Sequence, residues 1–137
     1  MQIFTLDSLP VLRFFRRQPG WETIDRILED ARIAGKRLPM SAINWGEVYY
    51  TILRDEGRET LEIVNRRISR SAIEIVVPTI ENIRQAAKMK SRGGISYADC
   101  FAGALALERD IPVLTDDIEF ERLIPFAVKI EWLPPSI

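Results

Sequence analysis

Five carboxylates stand where chemistry could use them. Asp7 directly follows the apolar run Met1–Leu6, and Asp116-Asp117 follow Val113-Leu114-Thr115. Glu47 lies within Ser41-Ala42-Ile43-Asn44-Trp45-Gly46-Glu47-Val48-Tyr49-Tyr50, and Asp99 opens the small-residue stretch Ser96–Ala106. The chain has no histidine and one cysteine, Cys100. That excludes the Ser-His-Asp triad, the Cys-His dyad and the usual imidazole base. It also excludes zinc held by histidine or by several thiolates. Enzymatic chemistry here must rest on carboxylates, hydroxyls, lysines or a metal bound by oxygen. Each acid also has a structural reading. Asp7 can be a helix N-cap, Asp99 the acid of a capping box begun by Ser96, Asp117 the cap of a late helical turn, and Glu47 a solvated helix residue. Glu47 is the hardest to dismiss, because its neighbours are apolar or aromatic and a carboxylate there needs a partner.

The elements that must position these acids can be read from periodicity. Met1–Leu6 reads as a buried strand, followed by a helix capped by Asp7 or Ser8 with Pro10 in its first turn. Trp21–Ala34 is a helix with Ile24, Ile27, Leu28 and Ala31 on one face, ended by Gly35. Arg37–Met40 is a short strand and Ser41 caps a helix to about Glu56; Arg58–Ser71 is the next helix. Ile73–Val77 is a β-branched strand, and Thr79 caps a helix over Ile80–Ser91. After Arg92-Gly93-Gly94, Ser96 starts the small apolar helix. Ile111–Thr115 and Val128–Trp132 are strands flanking a helical turn that carries Phe120 and Leu123, and Pro134-Pro135 close the chain. Strands alternating with helices predict an α/β fold with a parallel sheet covered on both faces. Ligands of such sheets bind outside the carboxyl ends of the strands, where these acids would converge.

With 137 residues, 47% of them hydrophobic and 28% charged, the chain reads as one globular domain over 1–137. No apolar run approaches the ~20 residues of a membrane span. The N-terminus lacks a signal-peptide pattern, and a lone cysteine suits a reducing compartment, so the expectation is cytoplasmic. A net charge of −1 announces no nucleic-acid binder, so any basic footprint must be local. Arg13, Arg16 and Arg17 form one candidate cluster, and Lys88, Lys90 and Arg92 another.

Together, Leu6-Asp7-Ser8, Pro19-Gly20, Ser41–Tyr50, Ile95–Ala102 and Thr115–Phe120 resemble the ordered motifs of PIN-domain ribonucleases. The nearest group is the VapC-type toxins of toxin–antitoxin pairs. The resemblance implies Asp7, Glu47 and Asp99 as the first three site acids, and Asp117 as the fourth through a Thr-x-Asp-x-x-Phe pattern. Asp116 stands where a glycine is common and is the alternative fourth acid. The Leu9-Pro10 pair also departs from the pattern. The resemblance further implies a three-layer fold with a mainly parallel five-stranded sheet in the order 3-2-1-4-5, a homodimer and an antitoxin partner.

Four clustered carboxylates repel: at ~4 Å each pair costs about 4 kcal/mol at an effective dielectric of about 20. They must hold protons or a cation, and all-oxygen ligation suits Mg²⁺ or Mn²⁺. The expected chemistry is metal-assisted hydrolysis of an RNA phosphodiester, with Asp7, Asp99, Glu47 and Asp117 as catalytic and metal residues. Ser8, Ser96 and Thr115 are candidates for supporting hydrogen bonds to ligands or phosphate. Rival readings are a phosphoacceptor domain, for which Lys129 is poorly placed, and a PIN-fold binding protein without catalysis. The first two helices are rich in large apolar residues. Phe14, Phe15, Trp21 and Leu28 are either core or a groove for an amphipathic partner helix.

Overall fold

The computed structural model describes residues 2–134; Met1 and Pro135, assigned above to the first strand and the chain end, lie outside that range. The elements in order are β1 (Thr5–Leu6), α1 (Ser8–Phe15), α2 (Trp21–Ile33), β2 (Leu38–Ser41), α3 (Ala42–Glu56), α4 (Arg58–Ser69), β3 (Ile73–Val76), α5 (Ile80–Ser91), α6 (Tyr97–Arg109), β4 (Val113–Thr115), a 3-10 helix (Ile118–Phe126) and β5 (Ile130–Trp132). The expected helical turn around Phe120 is therefore a longer segment of tighter winding.

All strand pairs are parallel. β1 pairs with β4 through Thr5 opposite Val113, and β4 pairs with β5 through Val113 opposite Ile130. β2 pairs with β3 through Leu38 opposite Ile73. The expected single sheet is present as two hydrogen-bonded ladders, β1-β4-β5 and β2-β3, with β1 packed beside β2. Continuity fails at Pro39. Leu38 donates its amide to Ala72 on the β3 side at 2.7 Å. Alternation then turns the next amide position toward β1, and proline has no N–H to offer there.

The two apolar clusters follow the two faces of this sheet. Leu114 packs with Leu6, Val11, Leu28, Val48 and Ile68 beneath α1–α4. Its neighbour Val113 packs with Met89, Phe101, Phe120 and Leu123 beneath α5, α6 and the 3-10 helix. Adjacent strand residues thus feed opposite cores, giving three layers. Helix α6 is buried from Asp99 through Ala106, as its small residues on every face predict. Gly103 allows the closest approach: a Cβ there would lie 2.5 Å from Cδ1 of Leu123 in the 3-10 helix.

Leu123 is fully buried, and the same Cβ would also lie 3.3 Å from the Met89 sulfur. Gly103→Val should therefore destabilise the protein by ~1–3 kcal/mol through overpacking. A urea midpoint equal to that of the unaltered protein would contradict this packing.

Candidate metal centre

Four strand and helix ends bring the acids together. Asp7 is the first residue after β1, and Thr115 is the last of β4, its neighbour in the ladder. The chain crosses from β1 to β2 on one side and returns to β4 on the other, so this is where a parallel sheet opens a crevice. Asp7 is completely buried. Its Oδ1 accepts the Ser8 amide at 2.7 Å, which caps α1, and its Oδ2 accepts the Thr115 hydroxyl at 2.9 Å. Capping and site placement are here two tasks of one side chain.

Ser41 caps α3 by accepting the Ile43 amide, and this sets the helix over the site. Glu47 then faces inward, where its Oε1 accepts the Ser8 hydroxyl at 3.1 Å. Asn44, one turn earlier, is fully buried and donates to the Ala98 carbonyl at 3.0 Å and to Glu47 at 3.5 Å. Ser96 caps α6 by accepting the Asp99 amide at 3.1 Å. The Asp99 carboxylate meanwhile takes part in the acidic group, so the cap accounts for its backbone and not for its charge.

Carboxylate oxygens of Asp7, Glu47 and Asp99 lie within 4.8 Å of one another, and those of Asp99, Asp117 and Glu119 form a second such group. Asp99 belongs to both. Asp117 caps the 3-10 helix by accepting the Glu119 amide at 2.9 Å, and its own amide is held by the Thr115 hydroxyl. Asp116 turns the other way and forms an ion pair with the buried Arg13. Of the two candidates for the fourth position, Asp117 is the one that joins the acids.

The charges disturb one another as close, half-dry carboxylates must. Burial, then the Asp99 and Glu47 charges, push the Asp7 carboxyl well above its ordinary range, against the opposing hydrogen bonds from Thr115 and Ser8. Burial pushes Asp99 up to about 6; Glu47, Asp117 and Glu119 add to the rise and Ser96 opposes it. Burial, aided by Asp99, also lifts the Cys100 thiol to about 11, so this cysteine is a protonated core residue and not a nucleophile. The donor set is oxygen only, closely spaced and short of positive charge, which fits a hard divalent cation of the Mg²⁺ or Mn²⁺ kind.

Several expectations change with these contacts. The Thr115 hydroxyl is buried and engaged by Asp7 and Asp117, and the Ser8 hydroxyl is engaged by Glu47. These bonds go to the acids, the first of the two targets expected of both hydroxyls. Arg13 leaves the proposed basic cluster because it is buried against Asp116, and Arg16 is paired with Asp55 and Glu56. Lys129 pairs with Asp110 at the far end of α6, so it cannot serve a phosphoacceptor site. Asn44 and Glu119 are additions to the site. Asn44 carried a faint signal, an amide three residues before Glu47 on the same helical face. Glu119 carried no such signal, because residues two apart do not share a helical face.

A family model described as the PIN domain matches residues 4–124. A search of curated proteins found no match. Among solved structures, VapBC2 from Rickettsia felis bound to a promoter DNA fragment aligns at TM-score 0.72 and 15% identity, covering 97% of this chain and 100% of the other. DNA-bound VapBC from Salmonella typhimurium aligns at 0.71 and 22%, covering 96% and 98%. The sarcin–ricin-loop-cleaving toxin VapC20 of Mycobacterium tuberculosis aligns at 0.67 and 13%, covering 96% and 99%.

The raised carboxyls make stability depend on pH. A group whose folded pKa lies above its unfolded value binds its proton more tightly when folded, so it favours folding at low pH and loses that contribution as pH rises. For Asp99 the window runs from 3.8 to about 6. Asp55, lowered to about 2 by Arg54 and Arg16, acts only below it. In EDTA, the melting temperature should fall as pH rises through that window, and Asp99→Asn should flatten the slope. A slope that survives in Asp99→Asn would assign it to other groups. The family match spans residues 4–124, most of the chain: the chain belongs to the PIN domain family.

Proposed function

We propose that this protein is a divalent-metal-dependent endoribonuclease, the VapC-type toxin of a toxin–antitoxin pair. The observation that carries the reading is the group of Asp7, Glu47 and Asp99, continued through Asp99 to Asp117 and Glu119. Such a concentration of carboxylates around the buried Asp7 and Asp99 is costly for a purely structural role. A bound Mg²⁺ or Mn²⁺ would neutralise it, polarise a phosphate and lower the pKa of a water.

In this reading Asp7 and Asp99 are the principal ligands. Asp7 is suited to it because Thr115 and Ser8 fix both of its oxygens. Glu47 and Asp117 complete the set or orient the attacking water. Asn44 ties α3 to α6 beside Asp99, holding Glu47 at its distance. Lys88 and Arg92 are exposed at the end of α5, on the approach to Ser96, and are candidates for contact with the RNA backbone. Lys90 is partly committed, donating to the Ile95 carbonyl.

A co-encoded antitoxin is the expected partner, by likeness to the VapBC complexes, and a homodimer is part of the same reading. Val77, Ile80 and Ile83, exposed between β3 and α5, offer apolar area for a second copy. Phe14, Phe15 and Leu28 line an open cavity of about 260 Å³ between α1, α2 and the end of α4. Arg67 lies over both phenyl rings, while Trp21 packs on Phe14 beneath Arg17. An apolar partner segment fits this groove, consistent with half-buried rings that the core does not enclose.

Three measurements test these statements. Asp99→Asn should abolish RNA cleavage while the protein stays folded. Mn²⁺ or Mg²⁺ at a hundredfold excess over its Kd should stabilise the unaltered protein by ~2.7 kcal/mol, whereas NaCl of matched ionic strength should not. A folded Asp99→Asn protein that still cleaves RNA, or equal melting shifts with both salts, would end the metallonuclease reading. For the partner, a folded Phe14→Glu variant should bind the co-encoded protein more weakly; unchanged affinity would move the docking site elsewhere.

A further inference from the structure

We infer that Arg13 is a positioning residue for the metal centre, acting through Asp116; the inference rests on the metallonuclease reading above. Arg13 lies in α1 and is 3% exposed. Its guanidinium reaches Asp116, 103 residues along the chain, through Nη2. Its Nη1 donates to the Pro134 carbonyl at 2.9 Å. The pocket for the guanidinium includes Gly20, whose φ of +92° opens α2 and where a Cβ would lie 3.3 Å from Nη1. One side chain therefore joins α1, the turn after β4 and the end of the chain.

That turn carries the acids. Thr115 is locked by three bonds: its hydroxyl to Asp7, the Asp117 amide to that hydroxyl, and the Leu133 amide to its carbonyl at 2.9 Å. Asp117 lies with Asp99 and Glu119. Asp116 sits between these two fixed residues and brings one more negative charge to an edge that already gathers five carboxylates. Left alone, it would be repelled by the others and would strain the turn toward solvent. Arg13 neutralises it and draws it to the side away from the acids, and successive residues of an extended segment alternate in direction, so Asp117 then faces them. A planar fork with donors to both a carboxylate and a carbonyl does this; a lysine has no second fixed arm.

The experiment measures Mn²⁺ affinity by calorimetry, together with melting of the metal-free protein and RNA cleavage. It compares the unaltered protein with Arg13→Met, Asp116→Ala and the double variant. Arg13→Met should weaken Mn²⁺ binding by about ten- to a hundredfold, the usual effect of removing a group that orients a ligand. Adding Asp116→Ala should restore much of the affinity, because the stranded carboxylate is gone. Cleavage should change in kcat and follow the same order. If Arg13→Met does not fold, Arg13→Lys, which keeps the charge without the fork, should show a smaller loss in the same direction. A folded Arg13→Met or Arg13→Lys protein with a lowered melting temperature but unchanged Mn²⁺ affinity overturns the inference, as does a double variant no better than Arg13→Met. An unaltered protein that binds no Mn²⁺ removes the metal reading itself, and the inference with it.

Discussion

The mutual repulsion of buried carboxylates is the constraint around which this protein is arranged. Asp7 has no solvent, and two further acids lie within 4.8 Å of it and of each other. Hydrogen bonds from behind hold Asp7 and Glu47 in this group. Ser8 and Thr115 hold Asp7, Ser8 and Asn44 hold Glu47, and Asp117 is fixed at its amide. These bonds are satisfied by groups that terminate strands or start helices, so holding the acids and capping the elements are one problem with one solution.

The three layers serve the same end. Helix α6 can deliver Asp99 to the sheet edge because alanine and glycine let it lie close to α5, the strands and the 3-10 helix. A bulkier helix would stand off and carry the Asp99 carboxylate out of reach of Asp7. On the opposite face, α3 is braced to α6 by Asn44, across the site and not through the sheet. The distance between Glu47 and Asp99 is thus fixed by a direct tie.

Charge is sorted as well as gathered. Asp116 and Asp117 are adjacent, yet one is paired with a buried arginine and the other is grouped with acids. A buried ion pair is a weak source of net stability, since desolvation opposes the attraction. Its value here lies in direction: it commits one of two neighbouring carboxylates to one side of a turn. The groove by Phe14 and Phe15, rimmed by Asp25, Glu29, Arg32, Arg67 and Arg70, is built in part on α1, the helix that Asp7 caps and that carries Arg13.

Most of the elements were legible in the sequence, because helix and strand periodicity and end signals are local. Ser41, Thr79 and Ser96 cap the helices that follow them, as the sequence predicts, and the carboxylates of Asp7, Glu47 and Asp99 lie together at the strand ends. Two strands are shorter than their sequence runs: β3 stops one residue before Val77, and β4 starts two residues after Ile111, because side-chain character runs past the paired backbone. What local patterns cannot carry is the direction of a side chain whose partner is distant in the chain. The Thr-x-Asp-x-x-Phe pattern favours Asp117, but Asp116 stays an alternative until Arg13 arrives from α1, and Arg13 looks like one of three solvated arginines until the turn after β4 closes over it. Asn44 likewise gains its task only when Ala98 lies opposite, and Glu119 only when the 3-10 helix starts at Asp117. Sequence determined which acids exist and which elements end beside them; the tertiary structure decided which way each one points, because that choice is made by charges and hydrogen bonds across the fold.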